Sequence, residues 1–218
     1  MKLLVVGSGG REHAVIRKLK ENKEIEKIYC APGNGGISAD AECVDIKATD
    51  KENMVKFAKE NAIDFCVVTP DDPLALGMVD VMEEAGIPCF GPKANAAIIE
   101  ASKAFSKDLM KKYGIPTADY ETFDNEKDAL HYIEEKNTFP IVIKADGLAL
   151  GKGVLICETL DDAKTALREM MVEHVFGLSG NKVVVEEFMT GKEVSVLAFT
   201  DGNVVKPMIS SMDHKRAY

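Results

Sequence analysis

The stretch FPIVIKADGLALGKGVLICE (residues 139–158) governs how this chain is read, together with KVVVEEFMTGKEVSVLAF (182–199). In the first, the β-branched run Ile141-Val142-Ile143 predicts a strand that presents Lys144 at its end. A loop carrying Gly147, Gly151 and Gly153 follows, and Val154 to Cys157 predicts a returning strand. Residues without Cβ let a hairpin tip bring backbone N–H groups against phosphate oxygens, and Lys144 adds a positive charge beside them. In the second stretch three valines lead into Glu186-Glu187-Phe188-Met189, a strand end whose backbone groups suit a purine edge, and Glu193 follows within reach of a ribose. Together the two stretches suit ATP. For the loop taken alone, an ordinary glycine-rich hairpin is the alternative.

Two better-known nucleotide motifs do not fit. A Walker A loop has four residues between its glycines and a Ser or Thr after the lysine, whereas Gly147 and Gly151 enclose three and Gly153 follows Lys152. At the other end of the chain, Gly7-Ser8-Gly9-Gly10 follows a predicted strand and opens a predicted helix, a geometry that binds anions. The dinucleotide fingerprint nevertheless fails, because Glu12 stands where its last glycine belongs. Ala31-Pro32-Gly33 also stands where the second strand should close on an acidic residue. A loop that only makes the turn is the alternative here. Arg11 suits either a phosphate or a solvated ion pair with Glu12, and His13 reads as a packed or capping histidine.

Composition narrows the class. The 218 residues are enough for two small domains, and 46% hydrophobic with 29% charged residues is ordinary for a globular chain. No apolar run approaches the roughly 18 residues of a membrane span, and the apolar start of MKLLVVGSGG is too short for a signal peptide. A formal net charge of -9 disfavours nonspecific nucleic-acid binding, so an anionic substrate must meet local basic groups. The cysteines Cys30, Cys43, Cys66, Cys89 and Cys157 form no C-x-x-C pair and read as reduced thiols of a cytoplasmic protein.

Up to about residue 90, strand and helix patterns alternate, which predicts an α/β fold with a Rossmann-like parallel sheet. Strands are expected over Lys2 to Val6, Ile25 to Ala31, Glu42 to Ile46, Asp64 to Thr69 and Cys89 to Phe90. Helices are expected over Arg11 to Glu21, Lys51 to Asn61, Leu74 to Glu84 and, as a bridge to the next domain, Ser102 to Tyr113. From Ala118 the order becomes strand, helix, strand, hairpin, strand, helix, strand, with helices over Glu126 to Lys136 and Leu160 to Glu173. Two further strands, Glu193 to Thr200 and Val204 to Ile209, meet at the turn signal Asp201-Gly202 and should expose an edge.

The pieces VVGSGGREHA (5–14), APGNGG (31–36), TPDDPLALG (69–77), FGP (90–92), SKAFSKDLMKKYGIPTA (102–118), the two opening stretches and SMDHKRAY (211–218) run in one order along the chain. In that order they resemble the N-terminal half of the phosphoribosylamine-glycine ligase (glycinamide ribonucleotide synthetase) family, ATP-grasp enzymes of purine biosynthesis. The resemblance implies a Rossmann-like pre-ATP-grasp domain over 1–101 and a linking helix over 102–117. An ATP-grasp lid over 118–191 and the start of a truncated ATP-grasp core over 192–218 complete it. It implies ligation of glycine to 5-phosphoribosylamine through glycyl phosphate, with ATP and Mg2+ (or Mn2+).

By that resemblance Lys103 and Lys144 meet phosphates, and Gly151, Gly153, Glu186, Glu187, Phe188, Met189 and Glu193 complete the ATP site. Glu186 is open between the adenine amine and the sheet's solvent face. Gly9, Gly10, Asn34, Asp71 and Asp213 fall to the substrate, while Lys144, Lys215 and Arg216 carry catalysis. The chain departs from the family pattern at Thr69-Pro70-Asp71-Asp72-Pro73-Leu74, where Gly-Pro-Glu-Ala-Pro-Leu is usual. The metal ligands are expected beyond Tyr218, so the chain reads as an inactive N-terminal fragment whose full-length protein is a monomer or weak dimer. Another ATP-grasp ligase or a noncatalytic ATP-binding module is the alternative.

Overall fold

Nearly unbroken apolar strands need cover on both faces, and the first sheet supplies it. The structure, a computed structural model, describes residues 1–148 and 152–212. Strands β1 (Lys2–Gly7), β2 (Lys27–Pro32), β3 (Glu42–Cys43), β4 (Phe65–Val68) and β5 (Cys89–Phe90) form a parallel sheet in the order β3-β2-β1-β4-β5. Helices α1 (Gly10–Leu19), α2 (Lys51–Glu60), α3 (Asp71–Ala75), α4 (Met78–Glu84) and α5 (Ala94–Ala101) connect or follow the strands. One face of the sheet packs Leu4, Val6, Cys66 and Val68 against Met54 of α2 and Met78 and Met82 of α4. The other packs Leu3, Val5, Ile28 and Cys30 against Ile16 of α1. Strand order reverses between β1 and β4, and a crevice at the carboxyl ends of such strands is where open α/β sheets take ligands.

The second sheet is antiparallel. After α6 (Lys103–Tyr113) come β6 (Tyr120–Phe123), α7 (Glu126–Lys136), β7 (Ile141–Ala145), β8 (Val154–Cys157), α8 (Leu160–Leu167) and β9 (Val183–Glu187), with sheet order β6-β9-β7-β8. Ile141, Ile143, Val183 and Val185 face Ile133 of α7 and Leu167 of α8 in a buried core. Strand alternation therefore turns Val142, Lys144, Val184 and Glu186 to the opposite face, where α6 lies.

Contacts divide the chain into Met1–Glu187 and Phe188–Tyr218. Within the second unit β10 (Ala198–Thr200) and β11 (Val205–Pro207) pair antiparallel about Asp201-Gly202, and Ser195 bridges Ser211. Among the described residues no helix is long and apolar enough to cross a membrane.

Several expected elements differ. The helix expected over Leu74 to Glu84 is two helices, because Gly77 sits at φ 83° and ψ 34°, a left-handed conformation that no helix continues through. Helix α5 was not expected at all; Ala94-Asn95-Ala96-Ala97 is a good helix former lacking an amphipathic pattern. The helix expected to run to Glu173 leaves α geometry after Leu167 and widens into a π turn over Arg168–Val172. The edge strands are shorter than expected: β3 keeps two residues, and the two strands of the second unit keep three each.

Candidate functional site

At the β1/β4 crevice the loop Gly7 to Gly10 is held from within. Glu12, buried in the first turn of α1, accepts the Gly9 N–H at 2.7 Å and the Thr69 hydroxyl at 2.8 Å, tying the ends of β1 and β4 together. The Gly9 amide is thus already used, which corrects its expected role as a phosphate donor. Gly10 and Arg11, both exposed, retain first-turn amides that the helix itself leaves without partners.

Asn34 is also committed to the loops. Its side-chain amide donates to the Ser8 carbonyl at 2.6 Å, while its oxygen accepts from Gly36 N at 2.7 Å and Ile37 N at 2.9 Å. Its expected place near the next strand end holds, but its polar atoms shape the crevice wall. Asp71 is exposed as the first residue of α3, after Pro70. His13 lies 2.8 Å from Asp40, which also pairs with Lys20 at 2.6 Å. Those two partners hold the Asp40 carboxyl at about 2, with the Lys20 hydrogen bond the larger cause.

The second cluster lies between α6 and the antiparallel sheet. Ser102 and Asp146 cap α6: Ser102 Oγ accepts from Phe105 N at 3.1 Å, and Asp146 Oδ1 accepts from Ala104 N at 2.6 Å. This fixes Lys103, the first helical residue, whose ammonium donates to the Gly147 carbonyl at 3.1 Å in the glycine loop. Burial pushes the Lys103 ammonium below its ordinary pKa, an effect opposed mainly by the nearby Asp146 carboxylate. Lys144 donates to Glu186 Oε2 at 2.7 Å, across the Val142↔Glu186 and Lys144↔Val184 register of β7 and β9. Lys107, one helical turn beyond Lys103, reaches the same oxygen at 3.3 Å. The Glu186 side chain is 4% exposed and the Lys107 side chain 8%, so this is a buried ionic cluster. The choice left open for Glu186 is narrowed: it does not lie on a solvent face.

Of the other expected ATP-site residues, Gly153 is buried and its carbonyl accepts from Ala145 N at 2.8 Å. Glu187 is exposed and accepts from Asp119 N at 3.2 Å. Phe188, Met189 and Glu193 belong to the second unit, where all three are exposed. Gly151, Asp213, Lys215 and Arg216 lie outside the described residues. Sequence reasoning missed Lys107 and Asp146. The four-residue spacing of Lys103 and Lys107 on one helix face was the available signal for the first; the cap that Asp146 supplies is a long-range contact with no local sign. Two surface hollows, of about 470 and 620 Å³, lie on the β2–β3 edge and beside α2, away from both clusters. Among the described residues no group of three or more His, Cys, Asp or Glu side chains could hold a metal ion.

The phosphoribosylamine-glycine ligase of Listeria innocua is 52% identical over all of this chain and 52% of its own length, and that of Clostridium acetobutylicum is 49% identical with the same coverage. The chain therefore spans about half the length of the curated relatives it matches. The crystal structure of the Thermotoga maritima phosphoribosylamine-glycine ligase superposes with a TM-score of 0.82 at 30% identity, covering 99% of this chain and 51% of that one. The biotin carboxylase domain of Hydrogenobacter thermophilus 2-oxoglutarate carboxylase, solved with MgADP, shares the fold at a TM-score of 0.70 and 21% identity, covering 86% of this chain and 44% of that one. Residues 1–100 match the phosphoribosylglycinamide synthetase N domain and residues 101–218 its ATP-grasp (A) domain, so the chain belongs to the phosphoribosylglycinamide synthetase family.

Proposed function

We propose that this chain supplies the substrate crevice and the ATP lid of a ligase that joins glycine to 5-phosphoribosylamine, giving 5-phosphoribosylglycinamide, ADP and phosphate in purine biosynthesis. The observation that carries the reading is the lysine cluster on the α6-facing side of the lid sheet. Lys103, Lys107 and Lys144 meet two carboxylates, Asp146 and Glu186, leaving a surplus positive charge beside a glycine loop.

In this reading glycine's carboxylate attacks the γ-phosphate to form glycyl phosphate, and the amine of phosphoribosylamine then displaces phosphate. Phosphoryl transfer of this kind is mainly positioning and charge neutralisation. Lys103 and Lys144 hold phosphate oxygens, and Gly151 and Gly153 serve the same ATP site. The Glu187 to Met189 backbone reads adenine, with Glu186 at its amine, and Glu193 meets ribose. Gly10, Asp71 and Asp213 contact the phosphoribosylamine in a crevice that Gly9 and Asn34 shape, and Lys215 and Arg216 hold the acyl phosphate. Mg2+ or Mn2+ would neutralise the phosphates; the described residues offer no acidic cluster for it, and no step here runs through the metal. The boundaries 1–101, 102–117, 118–191 and 192–218 and a cytoplasmic setting belong to the same proposal, as does a monomeric or weakly dimeric full-length protein.

The test is ADP release with glycine and freshly made 5-phosphoribosylamine, comparing the 218 residues with the full-length protein that carries them. Turnover by the longer protein alone, dependent on both substrates, is expected. Turnover by the 218 residues would show that they are self-sufficient, and ADP release indifferent to either substrate would overturn the ligase reading.

A further inference from the structure

Lys107 is the one lysine among the described residues that is buried. Its ammonium donates to Thr117 Oγ1 at 2.7 Å and to the Ala118 carbonyl at 3.3 Å, and it forms an ion pair with Glu186 Oε2 at 3.3 Å. The Tyr120 ring lies below it, 5.4 Å from ammonium to centroid. Thr117 and Ala118 would be enough to anchor the turn after α6. The ion pair needs another account, because it goes to the carboxylate oxygen that Lys144 also uses.

Both ammonium groups lie against one carboxylate oxygen, at 2.7 and 3.3 Å, so they are within about 6 Å of each other. Two like charges at that distance repel, and the carboxylate beside both offsets that repulsion. The arrangement divides one negative charge between two cations. Without Lys107, Glu186 and Lys144 would form a closed neutral pair, and Lys103, Lys144, Asp146 and Glu186 together would carry no net charge. The remaining nearby carboxylate, Glu100, is exposed on α5 and screened by solvent.

We propose that Lys107 is a positioning residue for the nucleotide site: it shares the Glu186 carboxylate with Lys144, so that the Lys144 ammonium keeps charge free for a polyphosphate ligand. Lys107 itself touches no ligand. The inference rests on the nucleotide reading above and deepens it by assigning the phosphate preference of that site to a residue behind it.

The test measures ADP and adenosine binding by calorimetry on the full-length protein, as wild type, K107M, K107R and K107M/E186Q. K107M should weaken ADP about tenfold and leave adenosine within about twofold, because only the phosphates sense the lost charge. K107R, which keeps the charge, should stay near wild type. Adding E186Q to K107M removes the competing carboxylate and should return the ratio of ADP to adenosine affinity to within about threefold of wild type, the lost adenine contact weakening both ligands alike. Equal weakening of ADP and adenosine would reduce Lys107 to a packing role, and unchanged ADP binding by K107M would show that Lys144 needs no such sharing; either result overturns the inference. If K107M loses its melting transition, E186Q alone serves: the ratio of ADP to adenosine affinity should rise about tenfold, and an unchanged ratio overturns it. Wild-type protein that binds neither ligand would defeat the nucleotide reading first, and this inference with it.

Discussion

Single side chains set the two candidate sites. Lys144 and Lys152 flank the same glycine loop, yet Lys144 is held by Glu186 and Lys152 is exposed. Lys144→Met should therefore weaken ADP binding tenfold or more, by the rough scale of one charge near a phosphate, while Lys152→Met should change it less than about twofold. Comparable losses in calorimetry would mean that the fixed geometry of Lys144 is irrelevant. Gly180 is a different kind of constraint. A Cβ there would stand 2.2 Å from the Met170 carbonyl oxygen, a backbone atom that cannot swing aside. Gly180→Ala should cost about 1–3 kcal/mol, read as a shift in urea midpoint with an unchanged slope.

Helix ends and the ties between elements carry the next level of organisation. Helix α6 begins where Ser102 and Asp146 cap it, and that start aims Lys103 into the glycine loop. Asp146→Ala should remove about 1 kcal/mol of stability through the lost cap and also weaken ADP binding, because Lys103 loses its register. Loss of stability with nucleotide affinity intact would separate the cap from the site. On the other sheet, Asp40 ties His13 of α1 and Lys20 just beyond that helix to the turn at Ile37–Ala39. Its carboxyl is depressed from 3.8 to about 2 in the folded chain, so it binds its proton less readily there than in the unfolded chain. The tie therefore adds stability that is complete above about pH 4 and drains away as pH falls toward 2. The gap in melting temperature between wild type and Asp40→Asn should be smaller at pH 3 than at pH 5; a gap unchanged between the two would remove Asp40 from this role.

For the molecule as a whole, the division after Glu187 matters most. Within Phe188–Tyr218 the described apolar side chains are open to solvent, including Val196 at 60%, Phe199 at 54%, Val205 at 66% and Ile209 at 95%. A two-stranded ribbon with bare edges and an apolar surface is marginal alone and a template for pairing. The 218 residues on their own should self-associate with rising concentration in sedimentation runs. A version ending at Glu187 should stay monomeric and keep the melting transition of the two packed sheets. Association that persists without residues 188–218 would place the sticky surface elsewhere.

Local pattern was enough for much of this. The apolar runs at Leu4-Val5-Val6, Ile141-Val142-Ile143 and Val183-Val184-Val185 announce buried strands because burial on both faces leaves no room for polar alternation. The glycine loop and Lys144 near the end of β7 were equally visible, since phosphate recognition needs short-range features that sit close in sequence. The family followed from the order of such pieces. Other features depend on contacts between residues far apart in the chain. Glu12 reaches the Gly9 amide within its own first turn, but it meets the Thr69 hydroxyl only because β4 lies beside β1, and Asn34 is spent on Ser8 only because β2 lies next to β1. Nothing near Lys107 in sequence foretells that Glu186, 79 residues later, will share its carboxylate with Lys144. Burial, and with it the strength of a charge or the availability of an amide, is a property of the packed sheets and helices, so only folding assigns it.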